Sequence, residues 1–276
     1  MATAHHGDVE LHYEVFGSAE DPTLLLVNGL GSQCINYAEA WCERFVAEGY
    51  QVVRFDNRDV GLSSKLDGVA YTLADMAADA VAVLDAVGAA RAHVMGCSLG
   101  GMIVQRLAID HPDRLLTMTS VMSRTGEEGY GESSPEALAF LMAAPAPSRQ
   151  AAIDNHVAAI AVYGSRPDWI DEAETRARAA AAYDRCFCPA GIGRQMRAVM
   201  SDPPRADGLR TVTVPTLVLH GSRDCLIDPS GGRRTAELIP GARYVEIEGM
   251  GHDYPPPVWD QWVRAWASFA AQATAS

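Results

Sequence analysis

The stretch AHVMGCSLGGM, residues 92–102, contains the feature that decides the fold of this 276-residue chain. Its first four residues are mostly apolar and strand-like, and Ser98 then stands between Gly96 and Gly100. Where a buried strand turns sharply into a helix that crosses close to it, the positions two before and two after the turn residue must be small. The pattern therefore predicts a strand–turn–helix unit that exposes the hydroxyl of Ser98 above a sheet.

Short apolar segments alternate with amphipathic segments along most of the chain. Seven of the apolar segments are expected to be strands: VELHYEVFG, TLLLVNG, YQVVRFDN, AHVMGCS, LTMTSVMS, PTLVLHGS and RYVEIEG. Several of them are apolar on both faces, as buried parallel strands are. The segments between them repeat apolar residues at three- and four-residue spacing, which is typical of helices. The alternation predicts an α/β protein with a mostly parallel, twisted sheet and helices on both faces.

The alternation is interrupted between residues 127 and 208, where amphipathic helical patterns and prolines replace the strands. We therefore expect a core domain formed by residues 1–126 and 209–276, with a helical cap of residues 127–208 inserted between two strands. The large apolar side chains of this cap are expected to divide between helix packing and the lining of a substrate pocket. They are Phe140, Leu141, Met142, Tyr163, Trp169, Tyr183, Phe187, Met196 and Met200.

The composition argues against several classes of partner. The net charge of −13 gives a surface that repels phosphate backbones, so we expect no nucleic-acid partner. The N-terminal residues lack the pattern of a signal peptide, and no apolar stretch approaches the roughly 18 residues of a membrane span. We expect a cytoplasmic protein without membrane association, whose six cysteines are free thiols. Nothing in the sequence specifies an oligomeric state.

A serine hydroxyl is a weak nucleophile unless a histidine accepts its proton and an acidic side chain orients that histidine. Asp224 follows directly after the strand PTLVLHGS, and His252 lies in the glycine-rich loop EGMGHDYPPP after the next strand. Loops at the carboxyl ends of parallel strands meet at one edge of a sheet, so we expect Ser98, Asp224 and His252 to lie together. Asp228 is an alternative acid, although Asp224 is nearer to the strand end. His220, inside that strand end, is expected to be structural.

Backbone amides beside Ser98 are candidates to bind the negative oxygen that develops during attack on a carbonyl. The Leu99 amide lies at the positive N-terminal end of the predicted helix, and it faces the same space as the serine hydroxyl. A second donor is expected from the loop after TLLLV, where Gly29 lets the backbone pass close to the serine. We assign that role to the amide of Leu30.

Five stretches together resemble the α/β-hydrolase superfamily and, within it, bacterial hydrolases of the aclacinomycin methylesterase type. They are LLLVNGLGS, VVRFDNRDVGLSS, AHVMGCSLGGMIVQRLAIDHPDRL, VTVPTLVLHGSRDCLIDP and EIEGMGH. The resemblance implies the α/β-hydrolase fold, with Ser98 as nucleophile, Asp224 as acid and His252 as general base. It also implies oxyanion donors at the amides of Leu30 and Leu99.

The chain departs from the superfamily at the start of the oxyanion loop. Members often carry His-Gly there, whereas this chain has Asn28-Gly29, which keeps the main-chain donor but changes how the loop is braced. The stretch FDNRDVGLSS resembles the D-x-R-x-x-G-x-S segment of the family. Asp56, Arg58 and Asp59 within it are expected to brace loops rather than to perform chemistry.

These features predict a serine hydrolase that cleaves a carboxylic ester through an acyl-enzyme, with no cofactor and no metal. The expected partner is a small apolar or aromatic ester, and by resemblance a methyl ester of polyketide type. A carbon–carbon bond hydrolase, a lactonase, a thioesterase or a perhydrolase uses the same three residues, so these activities are alternatives. A ligand-binding protein or a cyclase with this fold, which forms no acyl-enzyme, is a further alternative.

Overall fold

One eight-stranded sheet runs through the computed structural model, which describes residues 2–274. Its strands are β1 (Ala2–His6), β2 (Val9–Phe16), β3 (Thr23–Val27), β4 (Gln51–Phe55), β5 (Ala92–Cys97), β6 (Leu115–Val121), β7 (Thr216–Gly221) and β8 (Arg243–Ile247). Their order in the sheet is β1-β2-β4-β3-β5-β6-β7-β8. Pairings β1–β2 and β2–β4 are antiparallel, and all pairings from β4 to β8 are parallel. The predicted α/β class with a mostly parallel sheet is confirmed.

The edge strand β1 was not among the seven strands expected from the sequence. Within ATAHH only Ala4 is buried, so the segment lacks the apolar run that marks the central strands. It becomes a strand because it pairs with β2 in a hairpin, with His6 opposite Val9. Gly7, with φ of +59°, supplies the left-handed conformation that the two-residue turn requires.

Ten α-helices lie within residues 2–274. They are α1 (Glu39–Ala47), α2 (Leu73–Ala86), α3 (Leu99–Asp110), α4 (Pro135–Leu141), α5 (Arg149–Tyr163), α6 (Glu172–Arg185), α7 (Pro189–Ser201), α8 (Ala206–Leu209), α9 (Ser230–Leu238) and α10 (Trp259–Thr274). None of them is both long enough and apolar enough to cross a lipid bilayer, as judged over the part of the chain that is described.

Helices cover both faces of the sheet, and each face has its own apolar core. One core joins the sheet to α2, α3 and α9 through residues such as Leu84, Ile103 and Leu238. The other joins the opposite face to α1 and α10, where Trp41 and Trp262 are fully buried. This two-sided burial is why β3, β5 and β7 are apolar on both faces.

A helical insertion occupies the chain between the end of β6 and the start of β7. It contains α4 to α8 and no strand, and every one of its residues is described. Helices α4, α5 and α6 each begin after a residue whose side chain accepts a backbone hydrogen bond, namely Ser134, Ser148 and Asp171.

Ion pairs of Arg185 and Arg194 fasten the insertion to the loop after β4. Arg185 Nη1 lies 2.7 Å from Asp56, and Arg194 binds both carboxylate oxygens of Asp59 at 2.9 and 2.7 Å. Arg58 pairs instead with Asp79 of α2. Asp56, Arg58 and Asp59 therefore brace loops, as the sequence pattern predicted. The pairs hold α6 and α7 over the edge of the sheet where the parallel strands end.

Candidate active site

Ser98 occupies a strained turn between β5 and α3. Its φ of +58° is uncommon for a residue with a side chain and costs on the order of 1–3 kcal/mol. Its amide donates to Val121 of β6 at 2.9 Å. A Cβ on Gly96 would lie 2.0 Å from the carbonyl oxygen of Gly100, and one on Gly100 would lie 2.0 Å from that of Val27. Only glycine fits at either position, so the spacing predicted from the sequence is a steric requirement.

Ser123 is a second support of this turn, and no motif in the sequence indicated it. Its hydroxyl donates to the carbonyl oxygen of Ser98 at 2.8 Å. A Cβ on Gly101 would lie 2.4 Å from the Cβ of Ser123, so the helix and the segment after β6 are in close contact here.

Asp224 and His252 are hydrogen-bonded to each other. Nδ1 of His252 lies 2.7 Å from Oδ2 of Asp224, and Asp224 is only 3 % exposed. The other carboxylate oxygen accepts the amides of Leu226 and Ile227, both at 2.9 Å. Because Nδ1 faces a carboxylate, it carries the proton in the neutral ring, and Nε2 is the nitrogen that can accept another.

His220 lies on the other side of the same carboxylate. Its Nε2 is 2.8 Å from the carbonyl oxygen of Ile227 and 3.3 Å from Oδ2 of Asp224. A carbonyl oxygen only accepts hydrogen bonds, so Nε2 of His220 carries a proton. Burial raises the pKa of Asp224, but the charge of His252 and the hydrogen bonds from His220 and His252 outweigh burial and lower it to about 2.

The alternative acid, Asp228, lies outside this arrangement. It is exposed, and its carboxylate accepts the amide of Ser230 at 2.9 Å near the start of α9. The structure therefore places Asp224, and not Asp228, beside His252.

The loop after β3 brings a second set of groups to Ser98. A Cβ on Gly29 would lie 3.2 Å from the Cβ of Ser98 and 3.8 Å from its Oγ. Within residues 2–274, the amides of Leu30 and Leu99 have no hydrogen-bond acceptor, so both are free to donate. In the same range Ser98 forms no hydrogen bond to His252; such bonds commonly tighten only when substrate is bound.

This loop is braced mainly by Gln195 of α7, which the sequence did not indicate. Oε1 of Gln195 accepts the amide of Gly31 at 2.9 Å, and its Nε2 donates to the carbonyl oxygen of Arg58 at 2.9 Å. Asn57 donates to the carbonyl oxygen of Asn28 at 3.0 Å. The chain thus supports the loop from the helical insertion and from the loop after β4.

The loop that carries His252 is held by the end of α5. The amide of His252 donates to the carbonyl oxygen of Tyr163 at 2.7 Å, and the amide of Gly251 donates to Oγ of Ser165 at 3.0 Å. Ser165 in turn donates to Asp253 from its amide at 2.8 Å and from its hydroxyl at 2.5 Å. Burial raises the pKa of Asp253, although the bonds from Ser165 oppose this shift.

A cavity of about 580 Å³ adjoins these groups. It lies between the loop after β3 and helices α5, α6 and α7, and Leu30 and Tyr163 form part of its wall. Of the nine cap side chains considered from the sequence, three line it: Tyr163, Tyr183 and Phe187.

The other six cap side chains lie outside the cavity wall. The sequence could not separate the two groups, because amphipathic spacing does not show which way a short helix faces. They are Phe140, Leu141, Met142, Trp169, Met196 and Met200. Met200 is 74 % exposed, and Trp169 packs against the apolar core that contains α1 and α10.

One further cluster of potential metal ligands lies among the described residues, formed by His12, Cys34 and Asp56. Asp56 already accepts the amide of Cys34 at 2.6 Å and pairs with Arg185 at 2.7 Å. Burial, and then the charge of Asp56, raise the pKa of the Cys34 thiol. A protonated thiol beside a guanidinium does not suit a cation, so the cluster fits a structural ion pair.

The chain is similar to known proteins in sequence and in fold. Over an alignment of 292 residues, the chain is 32 % identical to rhodomycin D methylesterase DauP of Streptomyces sp. (strain C5), covering 97 % of each protein. It is equally similar, with the same coverage, to rhodomycin D methylesterase DnrP of Streptomyces peucetius. The enol-lactonase of Burkholderia xenovorans LB400 superimposes with a TM-score of 0.80, at 23 % identity, over 98 % of this chain and all of that structure.

The family model for the alpha/beta hydrolase fold matches residues 22–254, which include Ser98, Asp224 and His252. The resemblance inferred from five stretches of sequence is thereby confirmed at the level of the superfamily. The chain belongs to the α/β hydrolase fold family.

Proposed function

We propose that this chain is a serine hydrolase that cleaves carboxylic esters, with Ser98 as nucleophile, His252 as general base and Asp224 as the acid that orients it. The observation that carries the proposal is the 2.7 Å bond between His252 and Asp224, at the same edge of the sheet as the strained turn at Ser98. Family membership and the two full-length methylesterase relatives support the reaction class.

In the proposed first half-reaction, Oγ of Ser98 attacks the ester carbonyl carbon while Nε2 of His252 takes its proton. The amides of Leu30 and Leu99 bind the resulting oxyanion, and each donor of this kind contributes about 3 kcal/mol to the barrier reduction. His252 then gives its proton to the departing alcohol, and the acyl group stays on Ser98. Asp224 holds the ring in one tautomer and stabilises its cationic form.

In the second half-reaction a water molecule attacks the acyl-enzyme, and His252 accepts a proton from that water. Collapse of the second tetrahedral intermediate breaks the bond to Oγ of Ser98, and the proton returns from His252 to Ser98. The products are a carboxylic acid and an alcohol, and the residues of the chain end in their starting states.

We further infer that residues 127–208 act as a helical cap on a core of residues 1–126 and 209–276, and that the substrate binds beneath this cap. The cavity of about 580 Å³ falls in the size range of small-molecule sites, about 300–1,000 Å³. Tyr183 and Phe187 stack in its wall with ring centroids 4.5 Å apart. This wall suits an aromatic ester, and the names of the relatives favour a methyl ester.

The test is hydrolysis of p-nitrophenyl esters of increasing acyl length and of a bulky aromatic methyl ester by the wild type and Ser98→Ala. We expect the variant to lose at least about 10⁴-fold in kcat, because it has no nucleophile. A fluorophosphonate should label the wild type and not the variant. Ser268→Ala, which removes an exposed hydroxyl on α10, is the matched control and should keep wild-type activity.

Residual hydrolysis by Ser98→Ala close to that of the wild type would contradict the proposal. A correctly folded wild type that turns over none of the esters and resists the fluorophosphonate would point to a ligand-binding role.

A further inference from the structure

The cavity beside the proposed site contains one permanently charged side chain, that of Arg178. No aspartate, glutamate or lysine is among the described residues that line it. The chain as a whole carries a net charge of −13, so the positive charge of this wall is opposite in sign to that of the whole chain. Such a charge attracts anions into the cavity.

Arg178 has no hydrogen-bond partner within residues 2–274, and its Nε is buried. Its ion pair with Glu174, one helical turn away on α6, spans 3.9 Å. Arg176 on the same helix is also four residues from its acidic partner, but its contacts are shorter. Its Nε lies 2.8 Å from Glu172, and its Nη1 lies 2.7 Å from Asp154. Arg178 lines the cavity with its hydrogen-bond donors unused within residues 2–274, whereas the guanidinium of Arg176 is committed to acidic partners.

The charge of Arg178 also lies near the segment that carries His252. Burial raises the pKa values of Asp253 and Tyr254, and the positive charge of Arg178 acts against both shifts. The hydroxyl of Tyr254 accepts a hydrogen bond at 2.7 Å from Asn36, which lines the cavity. The guanidinium therefore lies near the two residues that follow His252 in the chain.

We propose that Arg178 is a specificity-determining residue that binds an anionic oxygen of the substrate, so that the preferred ester carries a second, negatively charged group such as a carboxylate. The proposal rests on the ester hydrolysis proposed above. A guanidinium offers five donors in a planar fork that matches a carboxylate. Half-buried in this wall and with no hydrogen-bond partner within residues 2–274, the guanidinium has lost part of its hydration, and a substrate anion supplies charge-assisted hydrogen bonds.

The experiment compares two series of p-nitrophenyl esters whose acyl chains end in either a carboxylate or a carboxamide. The two end groups have nearly the same size, and only the carboxylate is charged. Spacers of increasing length allow the end group to reach Arg178 from the ester. We expect the wild type to favour the carboxylate at its best spacer by about 10- to 100-fold in kcat/KM. Arg178→Gln should bring this ratio close to one, and added salt should reduce it in the wild type.

Arg176→Gln is the matched control, because it removes a positive charge from the same helix without touching the cavity. It should keep the wild-type preference. A wild-type ratio near one at every spacer would overturn the role of Arg178, and so would an unchanged ratio in Arg178→Gln. If the wild type hydrolysed neither ester series and also failed to hydrolyse unsubstituted p-nitrophenyl butyrate, the result would instead contradict the proposed esterase function.

Discussion

At the scale of single residues, Asp224 shows how a carboxylate is prepared to orient a histidine. The amides of Leu226 and Ile227 hold one oxygen, which leaves the other directed at His252 and His220. All these partners favour the ionised form, so the pKa of Asp224 remains low despite its burial. The side chain therefore stays charged at every pH at which the enzyme is expected to work.

We predict that Asp224→Asn lowers kcat by about 10⁴-fold, because an amide in this position favours the wrong imidazole tautomer and leaves its cation unstabilised. Asp228→Asn is the matched variant four residues away, and it should keep kcat near the wild-type value. Steady-state hydrolysis of a p-nitrophenyl ester distinguishes the two. A large loss in Asp228→Asn with little change in Asp224→Asn would show that the acid has been misassigned.

At the scale of secondary-structure elements, the helical insertion does more than cover the site. Its α5 ends at Tyr163, and the residues that follow bind the loop of His252 through Ser165 and Asp253. A Cβ on Gly251 would lie 2.2 Å from the backbone of Gly164, so the two segments pack without space between them. The position of the proposed general base therefore depends on the insertion as well as on the core.

We predict that Ser165→Ala lowers kcat about tenfold and changes KM little. The variant frees the amide of Gly251 and removes one donor from Asp253, and a tenfold loss corresponds to about 1.4 kcal/mol of misalignment. Ser201→Ala in α7 is the control, because within residues 2–274 that hydroxyl bonds only to the carbonyl oxygen of Ala198 in its own helix. A rise in KM with unchanged kcat would instead show that Ser165 shapes the cavity and does not position His252.

At the scale of the whole molecule, the acidic chain is stabilised by carboxylates with arginine or histidine partners. Burial opposes ionisation of Asp59 and Glu14, but hydrogen bonds from Arg194 and Arg54 outweigh it and lower both pKa values. The pKa of Asp224 is lowered in the same sense. A carboxylate whose pKa is lower in the folded than in the unfolded state stabilises the fold at pH values above its unfolded pKa. This stabilisation is lost as the pH falls through its folded pKa.

We therefore predict that the free energy of unfolding decreases as pH falls from about 4, where unfolded carboxylates titrate, towards the folded pKa of Asp224, about 2. Asp253 has the opposite sign, because its pKa is raised, and it offsets part of the loss. Urea unfolding followed by tryptophan fluorescence at several pH values measures the effect. Asp224→Asn lacks one of the linked groups, so its stability should fall less steeply with pH, and a slope equal to that of the wild type would contradict the assignment.

Most of the sheet and part of the site could be predicted from the sequence, because the constraints that produce them are local. Gly96 must be glycine because a Cβ there would meet the carbonyl oxygen of Gly100, four residues further on, so the turn at Ser98 is visible in the printed chain. Apolar runs indicate the central strands, because burial on both faces of the sheet requires apolar residues within one short segment. The edge strand β1 left no such mark, since it depends on pairing and not on burial.

The sequence by itself determined the α/β-hydrolase fold, the helical insertion, and Ser98, Asp224 and His252 as the residues to consider. Only the tertiary structure decided that Asp224 and not Asp228 meets His252, and that Arg178 lines a cavity without a hydrogen-bond partner among the described residues. These contacts join residues that are far apart in the chain, or depend on which way one helix is rotated. They arise when elements pack, and no spacing within a single element specifies them.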